Sequence, residues 1–347
     1  MFATIKNTKI SAVSCVIPKK SKSLLEEKNL YNGNEKKIKR VIESSGFYKR
    51  RIAEKNVTSS DLCYTAAEDL IKNCNVPKEQ IDALLFVSYT PDFLMPATSY
   101  VLHNRLGLGE NCLCLDIPQA CSGYVIGLYQ ASLLINNGAK KVLLLVGDTF
   151  SKFSDMFNNN TAPVFGDAGT ATLLEYDKNV NPIYFTLNTD SSGYDALICK
   201  NGGFRNPVTK NQFYEDNSFK YEASMDGARV FDFTMKRIEN SIKECLQYAK
   251  LKNEQIDYFV LHQANKMILQ NIANSLQIPS EKFPIGTMTE YGNQCGASIP
   301  CTFSNFLRTQ LSTKNNLVLL SGFGVGLSWA NCILNIGSIY ISNLIEY

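Results

Sequence analysis

The sequence predicts an α/β protein built in layers from two similar halves. Three observations lead there. Short apolar runs alternate with helical stretches along the chain. Several features recur at an interval of 175 residues. One helical stretch, SGYVIGLYQASLLINNG after Cys121, is apolar on nearly every face and so demands cover on all sides.

The elements follow in order. ALLFVS (83–88) reads as a buried strand before a turn at Pro91, and KVLLLVG (141–147) as a second that ends at Gly147. YFVLH (258–262) and LVLLSG (317–322) are the third and fourth. Continuous apolar runs of this length suit strands covered by helices on both faces. Helices are expected over 61–73, 122–137, 228–250, 264–276 and 298–311. Ile81-Asp82 opens the first run and Ile256-Asp257 the third; Gly147 and Gly322 close the second and fourth. Gln119 and Gln294 each precede a small-residue helix start, and all three pairs share the 175-residue interval. The halves are therefore 1–178 and 179–347, joined at YDKNVNP, with a site expected where they meet. The polar, Gly- and Asn-rich segment 188–222 reads as a solvated loop or as a cap over a channel.

Composition narrows the class. With 45% hydrophobic and 19% charged residues, the 347-residue chain has the make-up of a packed globular protein. A net charge of +3 is too slight to imply nucleic acid. No apolar run reaches the ~18 residues of a membrane span. The start, MFATIKNTKISAV, alternates polar and apolar residues without the apolar core of a signal peptide. A cytoplasmic chain without membrane association is the expectation. The eleven cysteines form no framework, and the closest pair, Cys112 and Cys114, is a CxC. Reduced, mostly buried thiols are expected. Only two histidines exist, His103 and His262, and no zinc-type ligand spacing appears, so no metal is expected. His103 lies within a helical stretch and reads as a structural histidine.

Four pieces carry possible chemistry. Cys121, in DIPQACSGYVIGLYQASLLI (116–135), sits at the start of the buried helix. Free backbone N–H groups and the helix dipole there favour an anion and lower a thiol's pKa. Ala120, Ser122 and Gly123 leave room for a substrate. A packing cysteine would fit the same place. His262 ends a strand in YFVLHQAN, where α/β folds build their sites, although a structural histidine is also possible. Asn293, in YGNQCGASIP (291–300), serves either local turn chemistry or donation to an oxyanion. SGFGVGLSWA (321–330) alternates three glycines between two strands, unlike a dinucleotide loop, which opens a helix. Its glycines permit close backbone approach to the substrate of Cys121.

QACSG, HQAN, YGNxxxAS and GFGVGLSW, with FGDAGTA (165–171) and MDGARVF (225–231), resemble beta-ketoacyl-acyl-carrier-protein synthase III over essentially the whole chain. The resemblance implies a thiolase-like five-layer αβαβα fold with duplicated halves. It implies that Cys121 takes an acyl group from a thioester primer. His262 and Asn293 would stabilise the enolate formed as malonyl-acyl carrier protein loses carbon dioxide. The backbone N–H groups of Cys121 and Val325 would form the oxyanion hole. Met95, Phe323, Gly227, Phe231 and Gly324 would bind substrate, with Phe323 beside the malonyl carboxylate. Arg40, Asn159 and Met267 would stand at the entrance for carrier protein or CoA. No cofactor is implied beyond the substrates, acyl-CoA or acyl-carrier protein and malonyl-acyl carrier protein. Acyl carrier protein is the implied partner and a homodimer the implied assembly.

The departures bear on the primer. Relatives grip the CoA adenine with a tryptophan and arginines. Arg40 aligns with that tryptophan, Ser44-Ser45-Gly46-Phe47 with a following arginine motif, and Asn159 and Met267 with arginines; the single tryptophan, Trp329, is elsewhere. A primer delivered by carrier protein is the alternative to CoA. Lys36, Lys37, Lys39, Arg40, Lys49, Arg50 and Arg51 would face an acidic carrier, or form a solvated face. Met95 replaces a frequent phenylalanine in FLMPATS (93–99), the segment that caps the partner's acyl pocket in relatives. These features suggest a specialised paralogue with an atypical primer. Two rivals stay open: a thiolase-fold acyltransferase without decarboxylation, and a non-catalytic acyl-binding scaffold.

Overall fold

The computed structural model of the protein describes residues 1–153, 163–213, 221 and 223–347. The strands are β1 (Phe2–Ile5), β2 (Thr8–Ile17), β3 (Ser21–Ser23), β4 (Lys49–Arg51), β5 (Ala83–Val87), β6 (Leu113–Ile117), β7 (Lys141–Asp148), β8 (Ala168–Tyr176), β9 (Ile183–Thr189), β10 (Leu197–Cys199), β11 (Ala223–Met225), β12 (Tyr258–Leu261), β13 (Asn315–Gly324), β14 (Ser328–Gly337) and β15 (Tyr340–Glu346). The helices are α1 (Glu35–Ser45), α2 (Ser59–Asn73), α3 (Thr98–Leu106), α4 (Gly123–Asn136), α5 (Gly227–Ala249), α6 (Lys266–Ser275), α7 (Thr287–Tyr291), α8 (Ser298–Thr302) and α9 (Arg308–Thr313). A π turn, Phe303–Leu307, separates the last two and interrupts what the sequence presents as one helix.

Two large sheets stack. One has the order β15-β2-β8-β7-β5-β6 and the other β1-β9-β14-β13-β12. Between them lie α4 and the α8–α9 segment. Tyr124 and Leu128 of α4 join Val87 and Leu144 of the first sheet and Val260 and Leu320 of the second in one core. That position explains why α4 is apolar all round: both of its sides face a sheet. Leu62 and Leu70 of α2 and Leu102 of α3 cover the outer face of the first sheet. Ile238 and Ile242 of α5 and Leu269 of α6 cover that of the second. The result is the five-layer αβαβα arrangement of the thiolase fold.

The duplication has a physical counterpart. Asp82 accepts hydrogen bonds from the Lys140 and Lys141 N–H groups at 2.6 and 3.0 Å, tying the entry of β5 to β7. Asp257 accepts from Leu317 N–H at 2.7 Å, tying the entry of β12 to β13. Backbone bonds run the other way in both halves, Asp82 N–H to Lys141 O and Asp257 N–H to Leu317 O. The glycine pair does not fit this equivalence. Ala83 faces Val142, whereas Tyr258 faces Val318, one residue further along. Gly147 and Gly322 therefore sit on different rungs.

The division at 178/179 separates most of the chain, but the terminal strands cross it. β1 pairs with β9 in the second sheet, and β15 pairs with β2 in the first. Each half lends the other an edge strand. Replacing either aspartate tests the repeat. Asp82→Ala and Asp257→Ala should each lower unfolding free energy by about 1 kcal/mol, read from urea midpoints; loss in only one half contradicts the equivalence.

Candidate active site

β6 delivers the chain through Pro118 to the N-terminus of α4, where the Gly123 N–H bonds the Ala120 carbonyl at 2.7 Å. Cys121 precedes the helix N-cap, Ser122, and is buried. Its thiol is held well below the usual cysteine value. A hydrogen bond from the Cys295 thiol is the largest cause, followed, after an opposing push from burial, by His262 and the Val325 N–H. These three donors come from the second half of the chain.

Gly324 explains how the second half comes so close. A Cβ there would lie 2.6 Å from Cys121 Cβ and 2.8 Å from its sulfur. Contacts that short are excluded for any other residue, so the end of β13 runs past the nucleophile only as glycine. The next residue, Val325, then aims its N–H at the sulfur.

His262 follows β12, its N–H bonded to Ser321 O at 2.8 Å. Ring nitrogen Nδ1 pairs with Ser298 Oγ at 2.8 Å. That engagement fixes the ring and leaves Nε2 for the sulfur. The Phe323 ring stands edge-on to the imidazole at 5.7 Å. Asn293 is buried between Val164, whose carbonyl takes its N–H at 2.8 Å, and Gly166, which donates to its carbonyl at 3.1 Å. Its side-chain Oδ1 accepts from Cys295 N–H at 2.9 Å, which assigns the amide NH2 as the end free to donate. Cys121, Ala120, Phe165 and Cys295 form one buried cluster walled by Tyr89, Phe150, Val164 and Val325.

Beneath it lies Asp148, 2% exposed, at the end of β7. It accepts from Tyr89 N–H and Ser88 Oγ at 2.9 Å each and from Thr90 Oγ1 at 3.1 Å. Burial outweighs those bonds and pushes its carboxyl up to about 8. At neutral pH the group is mostly protonated, which keeps a second negative charge away from the thiolate.

The structure brings Cys121 together with His262, Val325 and Gly324, with Asn293 joined through Cys295 and Phe323 through the His262 ring. Gly227 lines a cavity of about 450 Å³ with Lys37, Val41, Phe47, Val164 and Asn265, and Val164 is shared with the wall of the Cys121 cluster. Phe231, one turn along α5, is half-buried against the outer core. Arg40 is exposed on α1, and Met267 is 43% exposed in the first turn of α6. Asn159 lies outside the described residues. Met95 is 84% exposed beside Phe93 and Leu94.

The expected basic cluster divides. Arg50 is buried and paired with Glu27 at 2.5 Å, so it cannot face a partner. Arg51 bonds Glu346 at 2.9 Å and the Pro18 and Lys19 carbonyls. Lys49 pairs with Glu290 at 3.4 Å. Lys36, Lys37, Lys39 and Arg40 remain exposed on α1. His103 is satisfied by Gly109 O at 3.0 Å, as a structural histidine should be. The fold nevertheless brings its donor atom and the Cys112 and Cys114 sulfurs within 4.8 Å of one another, a grouping that linear spacing conceals. Ser298, Cys295 and Asp148 escaped the sequence reading. The first two lie inside YGNQCGASIP, whose tight run of small residues was the available signal.

Two family models match the chain: 3-Oxoacyl-[acyl-carrier-protein (ACP)] synthase III over residues 115–192, and its C-terminal model over residues 246–336. A putative 3-oxoacyl-[acyl-carrier-protein] synthase 3 of Campylobacter jejuni is 34% identical, covering 100% of this chain and 99% of the relative. A beta-ketoacyl-[acyl-carrier-protein] synthase III of Streptococcus agalactiae is 36% identical over 85% of this chain and 90% of its own. The crystal structure of a 3-oxoacyl-(acyl-carrier protein) synthase from Burkholderia xenovorans superposes with a TM-score of 0.93 at 33% identity, covering 100% and 99% of the two chains.

The glycine at 324 offers a direct check of this geometry. Gly324→Ala should leave circular dichroism unchanged yet slow iodoacetamide labelling of Cys121 about a hundredfold; labelling at the normal rate would show that the strand does not crowd the nucleophile.

Proposed function

The chain belongs to the 3-oxoacyl-[acyl-carrier-protein] synthase III family of acyl-transferring condensing enzymes, and we propose that it joins an acyl primer to malonyl-acyl carrier protein through an acyl-Cys121 intermediate. The observation that carries this reading is the convergence of the Cys121 sulfur, the His262 ring and the Asn293 amide at one buried place.

The steps follow from the groups present. The Cys121 thiolate attacks the thioester carbonyl of the primer, and the carrier's sulfur leaves. Backbone N–H groups of Cys121 and Val325 hold the oxyanion. Malonyl thioester then enters. His262 Nε2 and the Asn293 NH2 donate to its thioester oxygen, stabilising the enolate as carbon dioxide departs. Phe323 keeps the malonyl carboxylate poorly solvated and so favours its loss. The enolate carbon attacks the acyl-cysteine carbonyl, the C–S bond breaks, and the electron pair returns to sulfur. The free end of Asn293 is the feature that a simple acyltransferase, with His262 as base, has no use for. A non-catalytic scaffold has no use for the trio at all.

The primer is proposed to come from a carrier protein. The exposed cations Lys36, Lys37, Lys39 and Arg40 on α1 have no ion pair among the described residues. Of these, Lys37 lines the cavity that Gly227 also lines. An acidic carrier fits that face, whereas Arg40 and Met267 offer no aromatic surface to an adenine. A homodimer is proposed too. Phe93, Leu94 and Met95 are 57%, 82% and 84% exposed, and Leu113 and Leu115 lie exposed on the edge strand β6. An open edge with an apolar patch calls for a partner, and Met95 would then cap the acyl pocket of the second subunit.

Intact-mass screening of CoA and carrier-protein thioesters is the test. Carrier-bound primers should leave an acyl adduct on wild-type enzyme and none on Cys121→Ala, and acetyl-CoA should be a poor donor. Efficient acetoacetyl product from acetyl-CoA would contradict the atypical primer. With malonyl-acyl carrier protein, His262→Ala and Asn293→Ala should each lower carbon dioxide release by about 10²–10³-fold, with Cys121 in the Asn293 variant still acylated. Acyl transfer to a hydroxyl or amine without carbon dioxide release would favour the transferase.

A further inference from the structure

We propose that Cys295 is a positioning residue for the nucleophile: its thiol proton is donated to the Cys121 sulfur and holds that sulfur as an aimed thiolate. Two cysteines in one active site call for an explanation, because the reaction uses only one. The structure places Cys295 and Cys121 in the same buried cluster, 1% and 6% exposed. Ala120, Phe165, Phe150 and Val164 in its wall offer the sulfur no side-chain donors, which leaves the His262 ring and Cys295 to supply them. A charge in such a wall needs every hydrogen bond it can find.

The backbone shows how the second thiol is aimed. Cys295 has φ of 50°, in the left-handed region that non-glycine residues rarely adopt. Its N–H is bound by Asn293 Oδ1 at 2.9 Å. It opens a short turn, Cys295–Ala297, pressed against the loop that carries the nucleophile: a Cβ on Gly296 would lie 2.7 Å from Ala120 O. The side chain is thus set by the surrounding main chain. Its own pKa is pushed up, by burial first and then by its hydrogen bond and proximity to Cys121, so it keeps its proton and remains a donor.

The consequence for turnover rests on the condensing reaction proposed above. Before acylation the donor keeps Cys121 ionised. When the enolate carbon attacks the acyl-cysteine, the C–S bond breaks and the pair returns to sulfur, where the same S–H receives it. A lower-pKa thiol leaves faster. Cys295 keeps its proton throughout and forms no covalent bond.

The test needs no acyl substrate. Iodoacetamide alkylation of Cys121, read by peptide mass mapping, is followed from about pH 5 to 8, below the range where Asp148 ionises fully. His262, Asp148 and Tyr89 are the other titratable groups that face this sulfur, and all are unchanged in the variants. Cys295→Ala and Cys295→Val remove the donor, one with less bulk and one with similar bulk. Both keep the backbone N–H that orients Asn293. Cys295→Ser restores a donor. In whichever donor-free variant folds, the apparent pKa should rise by roughly one unit, slowing alkylation about tenfold at pH values below the wild-type midpoint. The serine variant should return to within about threefold of wild type. A profile that overlays wild type without the donor, or a serine variant shifted as far as alanine, overturns the proposal. A shifted profile in an enzyme that never condenses would sink the functional reading instead and leave this one standing.

Discussion

One buried sulfur at the seam of the molecule governs the rest. Cys121 belongs to the first half and its three donors, from Cys295, His262 and Val325, to the second. A thiolate inside an apolar cluster is costly unless donors meet it, so the site exists only where the two halves dock closely. The five-layer stack supplies that precision. With α4 clamped between two sheets, its N-terminus cannot drift relative to β12 and β13. Glycine at 324 and at 296 removes the side chains that would hold the halves apart.

The surroundings keep the charge single. Asp148 lies close enough to oppose the thiolate, and burial keeps its carboxyl largely neutral at pH 7. Ser298 occupies the Nδ1 edge of the His262 ring, and Cys295 N–H occupies one end of the Asn293 amide. Each contact removes an alternative orientation, so the imidazole and the carboxamide are both held in place. The cavity beside Gly227 adjoins this centre through Val164, which walls both.

Much of this was legible in the sequence, for definite reasons. Strands covered on both faces are apolar throughout, and so β5, β7, β12 and β13 stood out. The all-round apolar α4 announced its central place. The motif residues meet because the fold is the one their order suggests. What stayed hidden depended on contacts across the chain. Residue intervals count positions and not sheet rungs, so Gly147 and Gly322 matched in number while missing in register. Arg50 read as surface charge because Glu27, which buries with it, lies well upstream. β1 and β15 are edge strands lent across the halves, and nothing in their own residues names the partner. Cys295 sat in a quoted motif, yet cysteine spacing carries no information about a neighbour in the other half.

The coupling between acyl discharge and decarboxylation tests the whole account most directly. Enzyme pre-acylated on Cys121 would be mixed with malonyl-acyl carrier protein for a single turnover. Carbon dioxide would be counted against loss of the acyl mass. The account predicts one molecule released for each acyl group that leaves the sulfur. Discharge without gas, or gas with the acyl-enzyme intact, would mean that the sulfur, the imidazole and the carboxamide do not work on one substrate pair.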